Sequence, residues 1–164
     1  MPTPRRVSGP KINAAIDRLR REGGNVVRDP QHMIGAWGLM CASGTIKSLE
    51  GRKKPIATIV NSFSTQVPGH THLRALEEVI KKELLRLGFT VWVANIGGVV
   101  CDGIAMGHGG MKYSLPSREL MADQIETILA AHPCDAWIGI GNCDKSVPAF
   151  FNAMARMNLP AVYV

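Results

Sequence analysis

The amino-acid sequence predicts an α/β domain of three layers around a mainly parallel sheet, preceded by a helical amino-terminal region and incomplete at its carboxyl end. Three observations carry this expectation. From residue 55 onward, short apolar runs alternate three times with longer stretches of helical periodicity. That alternation is the pattern of parallel strands joined by right-handed crossovers. Residues 1–54 lack such runs and read as helical and irregular. The last apolar run, Ala161 to Val164, stops where the sequence stops. A buried strand normally needs an exit, so the expectation is a fragment, or a subunit completed by another chain.

Each element has its own signal. Ile12, Ala15, Ile16 and Leu19 recur at helical spacing until Gly23-Gly24, a good terminator. A second helix is expected from Asp29, an N-cap followed by Pro30 in the first turn, to about Cys41. Gly44 and the polar stretch Lys47 to Lys54 read as a connection. Pro55 to Val60 reads as a strand. Thr71 to Leu87 reads as a helix with Leu73, Leu76, Ile80, Leu84 and Leu87 on one side, ended by Gly88. Phe89 to Ala94 is the next strand, and a glycine-rich stretch from Gly97 to Gly110 follows it. A helix from Pro116 to about His132, a strand from Asp135 to Ile140, a helix from Ser146 to Asn158 and the start of a fourth strand complete the order.

Composition narrows the function classes. The chain has 164 residues, 46% of them hydrophobic and 20% charged, enough for one domain with a real core. No run approaches the roughly 20 apolar residues that span a bilayer, so no membrane partner is expected. Met1 to Lys11 is basic without an apolar core, unlike a secretory signal. A cytoplasmic location is the expectation. Net charge is +6, and residues 1–54 hold eleven Lys or Arg against four Asp or Glu. Aromatics are only 5%, and no nucleic-acid module accompanies the basic arm. A solvated face or an anionic partner surface explains it better than nucleic acid.

Polar residues collect where strands should end. Asn61 closes the first strand, Asp102 lies in the loop after the second, and Asn142-Cys143-Asp144-Lys145 follows the third. In open parallel sheets this edge forms the binding crevice. Asp102 and Asp144 suit a hard divalent cation, Mg²⁺ above all. Cys143 suits an iron–sulfur cluster and sits near a helix start that favours thiolate. Lys145 suits a substrate carboxylate or a modified ligand. Each has a plainer alternative: a buried structural thiol for Cys143, a helix cap for Asp144, a solvated Lys145, a turn residue at Asp102. His70-Thr71-His72 is open to metal ligation or to capping and packing. Gly107-His108-Gly109-Gly110 suits a phosphate cradle or simply a tight loop. Cys41 and Cys134 read as structural or incidental, and no Cys spacing marks a zinc site.

Four ordered stretches resemble the dihydroxy-acid dehydratase family, which includes sugar-acid dehydratases and 6-phosphogluconate dehydratase. They are Asn61-Ser-Phe-Ser-Thr-Gln-Val-Pro-Gly-His-Thr-His-Leu73, Asp102-Gly-Ile-Ala-Met-Gly-His-Gly-Gly-Met111, Tyr113-Ser-Leu-Pro-Ser-Arg-Glu-Leu120 and Asn142-Cys-Asp-Lys145. The resemblance covers residues 30–164 and looks strongest to the bacterial dihydroxy-acid dehydratases. It implies a hydro-lyase that turns 2,3-dihydroxy acids into 2-keto acids, as in branched-chain amino-acid biosynthesis. It implies Cys143 as a ligand of a 2Fe-2S or 4Fe-4S cluster, and Asp102, Asp144 and a carbamylated Lys145 as Mg²⁺ ligands. Asn61, His70, Cys101 and Ser117 are the further candidates for lining the site or touching substrate.

The resemblance also implies a division: residues 1–54 as a basic helical arm, and residues 55–164 as the first part of an iron–sulfur and Mg²⁺ domain. A second, β-rich domain of the family, with another cluster cysteine, another carboxylate and a serine base, is absent here. A complementing chain and a homo- or hetero-oligomer are therefore expected. Three positions depart from the family pattern. Gly69 stands where many relatives have a cluster cysteine, Cys101 where close relatives have an acidic residue, and Ala149 where glycine is usual. Against the catalytic reading stand a non-catalytic or regulatory remnant that keeps the fold, and a portion of a sugar-acid dehydratase.

Overall fold

The computed structural model describes residues 34–48, 51 and 54–164. Its elements in chain order are α1 (Ile34–Ala42), β1 (Ile56–Asn61), α2 (Leu73–Arg86), β2 (Thr90–Asn95), α3 (Asp102–Ala105), α4 (Ser114–Ala131), β3 (Ala136–Ile140), α5 (Ser146–Met157) and β4 (Ala161–Tyr163). Short 3₁₀ turns at Pro68–His70 and Gly109–Tyr113 precede α2 and α4. The expected helix over Ile12 to Leu19, the Asp29 cap and most of the basic arm lie outside the described residues.

The four strands form one sheet in the order β2-β1-β3-β4, and every pairing is parallel. β1 is fully buried because it is flanked on both sides. Its registers set Asn61 opposite both Asn95 of β2 and Ile140 of β3. Three strands thus end at one level, and the loops that follow them share one edge.

Alternation along the strands divides the core between two faces. On one face Leu73, Leu76, Ile80 and Leu84 of α2 pack with Ile59, Val91 and Ile140. These are the residues whose spacing announces the helix. On the other, Met121, Ile125 and Leu129 of α4 and Ala149, Phe150 and Ala153 of α5 pack with Ile56, Val60 and Trp137. Helix ends obey local chemistry. Gly88, at φ +92°, stops α2, with Phe89 N–H bonded to the Leu84 carbonyl at 3.0 Å. Asn158, at φ 48°, stops α5 in the same left-handed region.

Several boundaries differ from the sequence expectation: α4 begins at Ser114, two residues before Pro116, and β2 runs from Thr90 to Asn95 rather than from Phe89 to Ala94. α2 starts at Leu73 rather than Thr71, because Pro68 opens a separate 3₁₀ turn that buries His70. The glycine-rich stretch is not all loop: Asp102–Ala105 forms one helical turn and Gly109–Tyr113 a 3₁₀ turn. Turns of four and five residues are too short for periodicity to reveal.

At Gly139, Phe150 of α5 packs directly on the backbone of the sheet. A Cβ there would stand 2.5 Å from Cδ1 of Phe150 and 3.2 Å from Cζ3 of Trp137. The Phe150 ring cannot retreat, since it stacks on Trp137 at 6.2 Å and meets Tyr163 at 5.4 Å. Gly139→Ala is expected to destabilise the chain by about 1–3 kcal/mol, the range for an extra methyl in a packed core. Urea denaturation checks this, and an unchanged midpoint would refute the close packing.

Candidate metal centre

The shared edge is tied together before any charged group joins it. Ser62 extends the β1–β3 pairing, its N–H and its hydroxyl both donating to the Ile140 carbonyl at 3.0 Å. Asn142 Nδ2 donates to the Gly69 carbonyl at 3.0 Å, joining the loops after β1 and β3. Ser62 and Ser146 hydroxyls converge over Gly141, where a Cβ would meet each at 3.1 Å. The loop after β2 is anchored by Ile96 N–H on the Asn61 carbonyl at 2.9 Å and by Gln124 on Gly97.

Two groups of side chains stand on this edge. In the first, Lys145 Nζ lies 2.6 Å from Asp102 Oδ2 and 2.6 Å from Asp144 Oδ2. Asp102 is the first residue of α3 and Lys145 the N-cap of α5. The other Asp102 oxygen accepts a hydrogen bond from the buried Ser114 hydroxyl. Lys145, followed by Ser114, holds the Asp102 carboxyl below the usual carboxylate range. Asp102, followed by Asp144, pushes the Lys145 ammonium up. Asp144 does not cap α5; its carboxylate goes to the lysine instead.

The second group surrounds Cys143. Ser146, three residues on, receives the Cys143 N–H at 3.0 Å and lies 3.3 Å from the sulfur, and its own N–H points at the sulfur at 3.5 Å. The thiol therefore sits just ahead of the first turn of α5, within reach of backbone N–H groups that favour negative charge. His70 is completely buried. Its Nδ1 donates to the Ser62 carbonyl at 2.7 Å, which fixes the ring. Nε2 has no hydrogen bond of ordinary geometry, and the group the ring interacts with is the Cys143 thiol. Burial opposes a charge on Cys143, but His70, Ser146 and the Ser146 and Lys145 backbone outweigh it and bring the thiol down to about 7. Burial likewise opposes charge on His70, and Cys143 with the Ser62 carbonyl raises it.

The remaining candidates are scattered. Asn61 is buried under the edge, donating to Glu77 Oε2 at 2.6 Å and to the Leu73 carbonyl, and accepting from Phe63 N–H. It ties β1 to α2. Cys101 is half-buried and precedes Asp102 without capping α3. Ser117 is buried with its hydroxyl on the Ser114 carbonyl at 2.6 Å. His72 is exposed and makes no side-chain cap. His108 accepts from Gly110 N–H at 2.9 Å, so the glycine loop folds on its own histidine. Sequence reasoning missed Ser62, Ser114 and Ser146. Ser146 follows Cys143 at a spacing that local side-chain-to-backbone hydrogen bonds use; nothing marks Ser114, which meets Asp102 only in three dimensions.

The donor chemistry fits a hard divalent cation: two carboxylates already converge on one positive atom. It also fits one soft ligand, a thiol stabilised as thiolate. No three His, Cys, Asp or Glu side chains gather at one point among the described residues, so a cluster would need further ligands.

An all-parallel sheet whose carboxyl-terminal edge gathers two acids, a lysine and a low-pKa thiol defines an α/β domain with a charged strand-end site. The chain belongs to the dihydroxy-acid/6-phosphogluconate dehydratase family, whose N-terminal profile matches residues 54–164. It is 49% identical over 125 residues to a dihydroxy-acid dehydratase of Akkermansia muciniphila, covering 76% of this chain and 22% of that protein. It is 50% identical over 112 residues to one from Pyrococcus abyssi, covering 68% and 20%. The chain thus spans about a fifth of the length of these relatives. Among solved structures, a mutant creatininase overlaps with a TM-score of 0.39 and 13% identity, over 78% of this chain and 55% of that one. That likeness is too slight to bear on fold or function.

The thiol geometry has a direct consequence. In the metal-free chain, iodoacetamide labelling of Cys143 is expected to rise with pH about a midpoint near 7, because only thiolate reacts. In His70→Asn the midpoint moves upward. Peptide mass spectrometry follows the site. A wild-type midpoint at the ordinary value of roughly 8.5, or no change in the variant, would exclude His70 as the stabilising group.

Proposed function

We propose that this chain forms the amino-terminal, metal-binding part of a hydro-lyase that dehydrates 2,3-dihydroxy acids to 2-keto acids. The convergence of Asp102 and Asp144 on Lys145, beside the Cys143 thiol, carries the reading. Membership of the dehydratase family supports it. Cys143 would hold an iron–sulfur cluster, and Asp102, Asp144 and carbamylated Lys145 would hold Mg²⁺. When bound, those groups supply Lewis acidity toward a leaving hydroxyl. The reaction removes the C2 proton and the C3 hydroxyl as water, and the enol formed tautomerises to the keto acid.

The chain's own residues prepare that chemistry in stated ways. His70, Ser146 and the start of α5 keep Cys143 as the anion that a soft metal needs. Lys145, while it is an ammonium, lies against both Asp102 and Asp144 and offsets part of their mutual repulsion. Carbamylation would replace that ammonium with an oxygen donor of opposite charge. The C2 base, the remaining cluster ligands and a further Mg²⁺ carboxylate would come from sequence beyond these residues, in a complementing domain or chain. The assembly would be oligomeric and cytoplasmic, working in branched-chain amino-acid biosynthesis. Among the described residues no helix is long and apolar enough to cross a membrane.

Anaerobic reconstitution with iron and sulfide, alongside a relative's complementing region, tests the reading. The expected result is a brown complex that converts a 2,3-dihydroxy acid to its keto acid. Cys143→Ala is expected to lose the colour. Asp102→Asn is expected to keep it while turnover falls on the order of a hundredfold or more, the loss of several kcal/mol of charge stabilisation. A complex with neither iron nor turnover would overturn the proposal.

A further inference from the structure

Ser114 is buried at the first position of α4, and its hydroxyl donates to Oδ1 of Asp102. Ser114 carries the hydroxyl on a backbone that is held at both ends. Its backbone N–H is bonded to the Met111 carbonyl, and its own carbonyl receives the buried Ser117 hydroxyl at 2.6 Å. Asp102 is therefore divided: Oδ1 belongs to the start of α4, and only Oδ2 faces the cationic atom of Lys145, at 2.6 Å. Without the serine, the carboxylate could turn about its last bond and offer either oxygen, or both.

We propose that Ser114 is the positioning residue for Asp102, clamping one carboxylate oxygen so that the other is presented alone to the cation. The proposal rests on the reading of Asp102 as a cation ligand. Its physical content is pre-organisation: a ligand held by a partner on its far side loses less freedom on binding and keeps its orientation. It also gives the Ser114 hydroxyl a role beyond starting a helix, since the Tyr113 N-cap of α4 makes no side-chain cap bond and Ser114 spends its hydroxyl on Asp102.

Mn²⁺ binding to the complete chain, read from the free-ion EPR signal in bicarbonate buffer, tests this beside thermal unfolding without metal. Ser114→Ala is expected to bind Mn²⁺ roughly 10–100-fold more weakly, the usual effect of removing a ligand's supporting partner. Ser114→Thr, which keeps the hydroxyl, is expected to bind within a few-fold of wild type. Ser114→Cys keeps the size with a poorer donor and is expected to bind weakly while still folding, which covers the case of an unfolded alanine variant. If Ala and Cys variants only lower the unfolding temperature and bind as wild type does, Ser114 is structural and the proposal falls alone. If wild type and Asp102→Asn bind equally, or neither binds, the cation-ligand reading of Asp102 falls and takes this proposal with it.

Discussion

Everything at the candidate site depends on the pairing of β1 with β3. The register that sets Asn61 against Ile140, prolonged by Ser62 on the Ile140 carbonyl, makes two distant loops leave the sheet side by side. One carries His70 and the other Cys143. A slip of one residue would turn every side chain of a strand to the opposite face, and would part the imidazole from the thiol. The apolar residues of β1 and β3 thus fix the chemistry above them, although none takes part in it. Asp135 reinforces the register from the other end, where its carboxylate accepts the Ile56 N–H at 2.6 Å.

The charged groups are placed by helix starts rather than by the sheet itself. Asp102 opens α3, Ser114 opens α4, and Lys145 caps α5. Helix N-termini carry unpaired N–H groups and a partial positive charge. That field eases the crowding of Asp102, Asp144 and the Cys143 thiolate into one small region. Lys145 supplies the balancing charge. Its raised pKa and the lowered pKa of Asp102 are two views of one short contact.

The fold was legible because it rests on periodicity. The strand-like stretches at 55–60, 89–94 and 135–140 and the leucine stripe of α2 need no knowledge of neighbours, and Gly88 ends its helix by backbone conformation alone. The candidate site was legible only in part. Asp102 and the Cys143-Asp144-Lys145 run stood out because acids, a thiol and a lysine after strands are poor packing residues. What each side chain touches was hidden. Asp144 reads equally well as a cap until Lys145 is seen to claim it. Asn61 reads as a site residue until its amide is found on Glu77, under the sheet edge. Ser114 carries no signal at all, because its partner lies on another helix.

Asn142 to Lys145 is supported from two directions, so one short run presents two kinds of group, a thiol and a lysine held by carboxylates. The Cys143 side is tuned by the loop after β1, through His70 and through Asn142 on Gly69. The Lys145 side is tuned by the loop after β2, through Asp102. Only the start of α5 is common to both. That start is held down by Phe150, fully buried against Gly139, Gly141 and Trp137. Substitutions beneath it should therefore disturb the thiol and the Lys145 ion pairs together, whereas changes in either flanking loop should disturb one and spare the other. The two groups are tuned from different loops and share a single mechanical footing.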